Sequence, residues 1–195
     1  MAACKLNRCA WVSDDPLYQR YHDEVWGRPE REDDALFAKL CLDGQQAGLS
    51  WITILRKQKH YEDAFCQFNA KSIVTMPEEE RARLIQNSGI IRNKLKINSI
   101  FKNAEAYLAI KEQGSFTDFI WQFTDGKTVI NHWKTQQEVP VSTAASKNMA
   151  KALKKAGFTF VGETICYAFM QAVGMVNDHT TDCHCYADVC KEAIR

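Results

Sequence analysis

Four residues, Tyr21, Trp26, Asp43 and Trp51, are of the types that hold a flat heterocycle. Aromatic rings can sandwich a base, and each stack is worth roughly 1–3 kcal/mol. A carboxylate beside them would accept hydrogen bonds from an exocyclic amine and favour a ring that carries positive charge. A plainer reading of the same residues is that aromatics at helical spacing are core and that Asp43 merely ends a helix.

A second set has metal-ligating chemistry: Cys9, His22, His179 and Cys183. Two Cys and two His make a closed tetrahedral zinc set, which is structural rather than catalytic. A His-x-x-x-Cys spacing places both side chains on one face of a helical turn. The two pairs are far apart in the chain, so polar histidines and buried thiols are the competing account. His184 and Cys185 compete as ligands if the tail turns differently.

A third stretch, Gly157-Phe158-Thr159-Phe160-Val161-Gly162, is a glycine-bounded turn between two helical patterns, about Ala145–Ala156 and Glu163–Val173. Such a turn can aim free backbone amides at a phosphate. Lys151, Lys154 and Lys155 flank it, and Arg92, Lys94, Lys96 and Lys102 could extend a DNA-facing surface. Most such charges on a protein are only a solvated face.

The elements that must carry these groups are helical. Asp14-Asp15-Pro16 is a turn with helix expected just after it. The first clear helix is about Asp33–Leu42, with Leu36, Phe37, Leu40 and Cys41 on one face. The stretch from Asp43 to Leu49 breaks the pattern. Helix resumes near Ser50 and runs, with a kink, through Phe65 and Phe68. Pro77 with Glu78-Glu79-Glu80 starts another helix, which ends at Ser88-Gly89. Ile97 to Leu108 forms a long amphipathic helix ending near Gly114, and Phe116 to Phe123 follows a Ser115 cap. Lys127–Pro140 is the least regular stretch, with Thr128–Ile130 briefly extended. The pattern predicts an all-α fold.

Composition sets bounds. At 195 residues with 46% hydrophobic content, the chain has one sizeable core, and only 4 Pro and 9 Gly argue against a disordered chain. The net charge of +1 disfavours a purely electrostatic nucleic-acid binder, though one basic face is allowed. No apolar run reaches spanning length, and Met1–Leu6 lacks the apolar core of a signal peptide, so a cytoplasmic protein is expected. Eight cysteines, at 4, 9, 41, 66, 166, 183, 185 and 190, then suggest metal ligands or inert thiols rather than disulfides.

Several long motifs, taken together, give a specific resemblance. Arg8-Cys9-Ala10-Trp11-Val12, Tyr21-His22-Asp23-Glu24-Val25-Trp26-Gly27, Cys41-Leu42-Asp43-Gly44-Gln45-Gln46-Ala47-Gly48-Leu49-Ser50-Trp51, Gly89-Ile90-Ile91-Arg92, Lys154-Lys155-Ala156-Gly157-Phe158-Thr159-Phe160-Val161-Gly162 and Val176-Asn177-Asp178-His179 occur in this order. From Arg8 to Tyr186 the chain resembles the 3-methyladenine DNA glycosylase I family, within the helix-hairpin-helix glycosylase superfamily. The resemblance implies a monomeric, all-α enzyme that flips out and excises N3-methyladenine from double-stranded DNA, with free 3-methyladenine as product. It implies a structural zinc on Cys9, His22, His179 and Cys183. Family pocket roles fall on Tyr21, Asp43 and Trp51, with Asp43 expected as the catalytic residue and Trp26 joining them from the reading of the residues above. The hairpin role falls on Gly157–Gly162, so Gly157, Phe160 and Gly162, with the flanking Lys154 and Lys155, are the expected DNA contacts. A helical body over about 31–164 and a zinc lobe from about 1–30 and 165–195 would form one catalytic domain, 1–195.

Three departures stand out. The family's usual pocket acid is glutamate, and Asp43 is one methylene shorter, about 1.5 Å of reach. Asn177 stands where many superfamily members carry a catalytic Asp; the family lacks that Asp too. Phe160 stands where the superfamily often has glycine. Two other classes share part of this signature, a non-catalytic zinc-stabilised DNA-binding module and a metallohydrolase. Four protein ligands argue against the latter, which needs an open coordination position.

Overall fold

In the computed structural model the described residues are 6–193. The leader reading at the extreme N-terminus, Cys4, and the outermost ends of the expected lobe lie outside them. The first helix, α1 (Pro16–Glu24), starts where a proline follows a capping acid: Asp15 accepts from the Leu17 and Tyr18 amides at 2.9 and 3.3 Å, donors that a helix start leaves unbonded. It carries Tyr21 and His22, both buried.

The helix α2 (Asp33–Gln46) buries Leu36, Phe37, Leu40 and Cys41, as their spacing predicts. Its end corrects the sequence reading. It runs through Asp43 and Gly44 rather than breaking there. Lys96 supplies the reason: its ammonium donates to the Gln45 and Ala47 carbonyls at 2.8 and 2.7 Å, acceptors that the last turn leaves free. Lys96 is thus buried and unavailable to the basic surface expected of it.

Ser50 precedes α3 (Trp51–Leu55), and α4 (Gln58–Ala64) follows at once. Helix does not continue to Phe68. Cys66, Gln67 and Phe68 have φ of 54°, 55° and 55°, a left-handed turn that leaves Phe65 and Phe68 in the core. Next come α5 (Ala70–Val74), α6 (Glu78–Arg83), α7 (Lys94–Lys111) and α8 (Phe116–Trp121). The Ser115 side chain caps α8 as anticipated.

The least regular stretch contains one two-residue strand, β1 (Val129–Ile130). The helices α9 (Ala144–Lys155) and α10 (Glu163–Ala172) are followed by β2 (Val176–Asn177) and α11 (Tyr186–Glu192). The two strands pair in parallel, Val129 opposite Val176 and Ile130 opposite Asn177. The fold is otherwise all-helical. Apolar contacts run without a break from Cys9 to Cys185. Within them α2 packs on α7, α8 and α10, and α9 packs on α10. Among the described residues, no helix is long and apolar enough to cross a membrane.

Candidate base pocket and metal centre

Tyr21 from α1, Trp26 from the turn after it, Asp43 from α2 and Trp51 at the start of α3 line one cavity of about 200 Å³. Pockets for drug-sized ligands run to roughly 300–1,000 Å³, so this one suits a single ring system. The Tyr21 and Trp51 rings lie 5.4 Å apart, centre to centre. Trp51 is buried but lines the cavity.

Asp43 is 1% exposed. Its Oδ1 pairs with the Lys39 ammonium, one helical turn earlier. That ammonium lies 3.9 Å from the centre of the Trp51 ring. Burial pushes the Asp43 carboxyl up from its ordinary pKa, and Lys39 opposes the shift. Burial lowers Lys39, with Asp43 opposing. Two polar atoms in this group, Asp43 Oδ2 and Trp51 Nε1, are buried without a hydrogen-bond partner among the described residues.

Trp26 forms the wall between this cavity and the Cys/His cluster. Its ring meets His179 edge-on at 4.6 Å and Trp11 at 5.0 Å, and lies parallel to His22 at 6.1 Å. Asp178 also lines the cavity, yet its carboxylate is saturated. Asn131, Trp133, Tyr167 and Gln171 donate to it at 2.7, 2.8, 2.7 and 2.8 Å. Asn177 holds the tail, donating to the Tyr186 carbonyl at 3.3 Å and accepting from the His179 amide at 3.3 Å.

Cys9, His22, His179 and Cys183 converge in the interior, with their ligand atoms within 4.8 Å of one another. Cys9 Sγ and Cys183 Sγ lie 3.5 and 3.4 Å from His179 Nδ1, and Cys183 Sγ lies 3.5 Å from His22 Nε2. Bonds of ~2.0–2.3 Å to a tetrahedral zinc put S and N ligands roughly 3.5 Å apart. The other ring nitrogens face oxygen acceptors. His22 Nδ1 is 2.8 Å from Asp23 Oδ1, and His179 Nε2 is 3.2 Å from the Trp26 carbonyl. Each acceptor draws the ring proton to its own side, which leaves lone pairs on the two nitrogens among the sulfurs. The donor set therefore fits a metal ion.

The segment His179–Cys183 reaches this geometry through turns, not the helical turn expected of it. Gly27 makes room for the imidazole: its φ is +83°, and a Cβ there would stand 2.9 Å from His179 Nε2. A second grouping, His22, Asp23, His184 and Cys185, shares His22. Its carboxylate is engaged by Arg8, which donates at 2.7–3.1 Å.

The turn between α9 and α10 is pinned from α7. Asn103 accepts from the Thr159 amide at 2.8 Å and donates to its carbonyl at 3.2 Å. Gly157 and Phe160 take φ of +102° and +56°. Gly162 begins α10 without a side-chain cap. Lys151, Lys154 and Lys155 are exposed on α9, as are Arg92, Lys94 and Lys102 elsewhere.

Sequence reasoning missed Lys39, although its four-residue spacing from Asp43 on one helix was a usable signal. It also missed Trp11 and Gln171, which line the cavity from distant segments and carry no local signal.

A family profile described as methyladenine glycosylase matches residues 11–186. DNA-3-methyladenine glycosylase 1 of Escherichia coli (strain K12) is 51% identical over 182 residues, 93% of this chain and 97% of that protein. A crystal structure of 3-methyladenine DNA glycosylase I superposes with a TM-score of 0.91 at 54% identity, covering 92% of this chain and 100% of the other. A structure addressing 3-methyladenine recognition by the Staphylococcus aureus enzyme gives 0.89 at 35% identity, covering 93% and 97%. The fold is that of a DNA glycosylase. Within that class, the chain belongs to the methyladenine glycosylase family.

Proposed function

We propose that this protein excises N3-methyladenine from alkylated double-stranded DNA by hydrolysis, releasing free 3-methyladenine and leaving an abasic site. The observation that carries the reading is Asp43 beside Trp51 in a cavity sized for one fused ring system, with Asp43 Oδ2 buried and unpartnered. Buried polar groups ordinarily have partners, and the exocyclic amine of a purine supplies the one that Asp43 Oδ2 lacks.

The chemistry asks little of the protein. A purine methylated at N3 is already cationic, so when the C1′–N9 bond breaks the base takes the bonding pair and departs neutral. Water adds to C1′ and loses a proton. The enzyme must extrude the nucleotide, hold the base and admit water. Stacking on Trp51, with Tyr21 adjacent and Trp26 as the far wall, offsets the cost of extrusion. Asp43 accepts from the exocyclic amine and complements the positive ring. Asp178, saturated by four donors, is poorly placed to act as a base. Unmodified adenine has a far worse leaving group, so much of the discrimination lies in bond breaking.

In this reading the α9–turn–α10 unit is a helix-hairpin-helix that grips phosphate through Gly157, Phe160, Gly162 and the flanking Lys154 and Lys155. Cys9, His22, His179 and Cys183 hold a structural zinc that cross-links the ends of the chain; when bound, the ion supplies stability and no chemistry. One catalytic domain, 1–195, then comprises a helical body (about 31–164) and a zinc lobe (about 1–30 and 165–195), working as a monomer in the cytoplasm.

The test is base release from methylated DNA, resolved by chromatography, with Asp43→Asn as the comparison. Release of 3-methyladenine by the wild type is expected, with roughly 100-fold or greater loss in the variant, as for removal of one preorganised polar partner. Binding to undamaged DNA should hold within about twofold. Equal losses in both assays would remove Asp43 from the pocket chemistry.

A further inference from the structure

The position against Trp51 already holds a cation. The Lys39 ammonium lies 3.9 Å from the centre of the indole ring and pairs with Asp43 Oδ1. These are the two interactions that the pocket reading assigns to a methylated, positively charged base: charge against an aromatic face, and charge against the acid. A base stacked on that face of Trp51 and a Lys39 ammonium there compete for one volume.

We propose that Lys39 is a specificity-determining residue, a tethered counter-ion that occupies the base position until a cationic base displaces it. The inference rests on the reading of the cavity as a base pocket.

Lys39 has somewhere to go. It belongs to the wall, with Tyr21, Trp51 and Ala172, that the base cavity shares with a neighbouring cleft of about 680 Å³. Glu24, Glu30 and Glu62 line that cleft together with Arg20 and Arg28, so a displaced ammonium meets carboxylates that outnumber the guanidinium groups. Exchange also selects for charge. Asp43 is 1% exposed, and a buried anion stripped of its partner is costly. A cationic methylated base restores the missing charge as Lys39 leaves, whereas neutral adenine does not. Rejection of undamaged bases therefore begins at entry, before any bond is broken, in addition to the leaving-group effect.

The full-length protein is titrated calorimetrically with two probes, the permanent cation 3,9-dimethyladeninium and neutral 9-methyladenine. The wild type should bind the cation and discriminate against the neutral ring. If the ammonium fills the position nine-tenths of the time or more, Lys39→Met tightens the cation by about tenfold or more. Unchanged or weakened binding in that variant would overturn the proposal; weakened binding is the result expected of a lysine that stays to donate to the base. A second readout needs no variant. Peptide mass spectrometry after acetic anhydride treatment should show Lys39 acetylated faster with the cation bound, because the ammonium has been expelled. Slower acetylation would overturn the exchange while leaving the pocket in place. Binding of neither probe to either protein would overturn the pocket reading itself.

Discussion

Gly44 lies directly against Phe160: a methyl group at Gly44 would stand 3.3 Å from Phe160 Cβ and 3.4 Å from its carbonyl oxygen. Glycine inside a helix costs about 1 kcal/mol relative to alanine, and a left-handed φ at a residue such as Phe160 costs a further ~1–2 kcal/mol. Both costs fall at one contact, between the helix that carries Lys39 and Asp43 and the turn assigned to phosphate. The contact sets how deeply that turn seats on the pocket helix.

Gly44→Ala should separate stability from function. The added methyl gains helix propensity and pushes the turn outward by a few tenths of an ångström. These effects oppose each other, so Tm should stay within about 3 °C of the wild type. Release of 3-methyladenine should fall by roughly tenfold, because small displacements of positioning elements cost that much or more. Thermal unfolding and single-turnover release check both halves. Unchanged release would show that turn and pocket are not coupled through this contact.

The same contact shows where the sequence was legible and where it was not. Local periodicity gave α2, α7, α8, α9 and α10, because a helix with one apolar face writes that face at fixed spacing. It failed at Asp43-Gly44, where glycine serves a neighbour distant in the chain rather than ending a helix. Lys96 failed in the same way: its charge caps α2 from another helix. The four Cys/His positions were visible as residue types, but their convergence is tertiary. It depends on Gly27 leaving space for His179 and on Asp23 and the Trp26 carbonyl orienting the rings. The spacing of Lys39 from Asp43 was legible in the sequence, but its contact with the Trp51 ring is tertiary.

The Cys/His cluster predicts about one zinc per chain in purified protein, measured by elemental analysis. Removal by a chelator should lower Tm by roughly 10 °C, the scale of several kcal/mol for a chain of this size. Cys183→Ala should lose the metal and show the same deficit without chelator, since Cys183 approaches both imidazoles. A fully stable preparation containing no zinc would end this assignment.

Asp33 predicts an acid-sensitive seam. Its carboxylate accepts from Ser115 Oγ at 3.1 Å, the Thr117 amide at 2.7 Å and Thr117 Oγ1 at 2.6 Å, and it pairs with Lys111. Burial alone would raise its pKa, but Lys111 and the Thr117 donors outweigh that and hold it well below the usual carboxylate range. Between the folded value and the unfolded one, about 3.9, the unfolded chain binds more protons, so stability rises with pH. The contribution is complete above about pH 5 and is lost as pH falls through the folded value. Asp33→Asn should lower Tm by about 4–8 °C at pH 7, as expected for loss of ~2 kcal/mol of charge-assisted bonding. The gap should be the same at pH 5 and narrower at pH 3. A gap independent of pH would mean that shape rather than charge makes the seam.

Trp51 predicts a change in binding without a matching change in stability. Its indole N–H is buried without a partner among the described residues, and such a donor costs about 1–3 kcal/mol in the unliganded fold. Trp51→Phe removes the orphan donor and loses some packing, so Tm should hold within about 2 °C. The same change keeps an aromatic face but a smaller one, so binding of free 3-methyladenine should weaken by about threefold. Trp51→Ala removes the stack as well and should weaken it by about 10–100-fold, equivalent to the 1–3 kcal/mol of one base stack. Tryptophan-independent calorimetry measures all three proteins on one scale. Equal affinity for wild type and Trp51→Phe would mean that the larger face of the indole adds nothing to the stack, and equal affinity for all three would remove Trp51 from the base site.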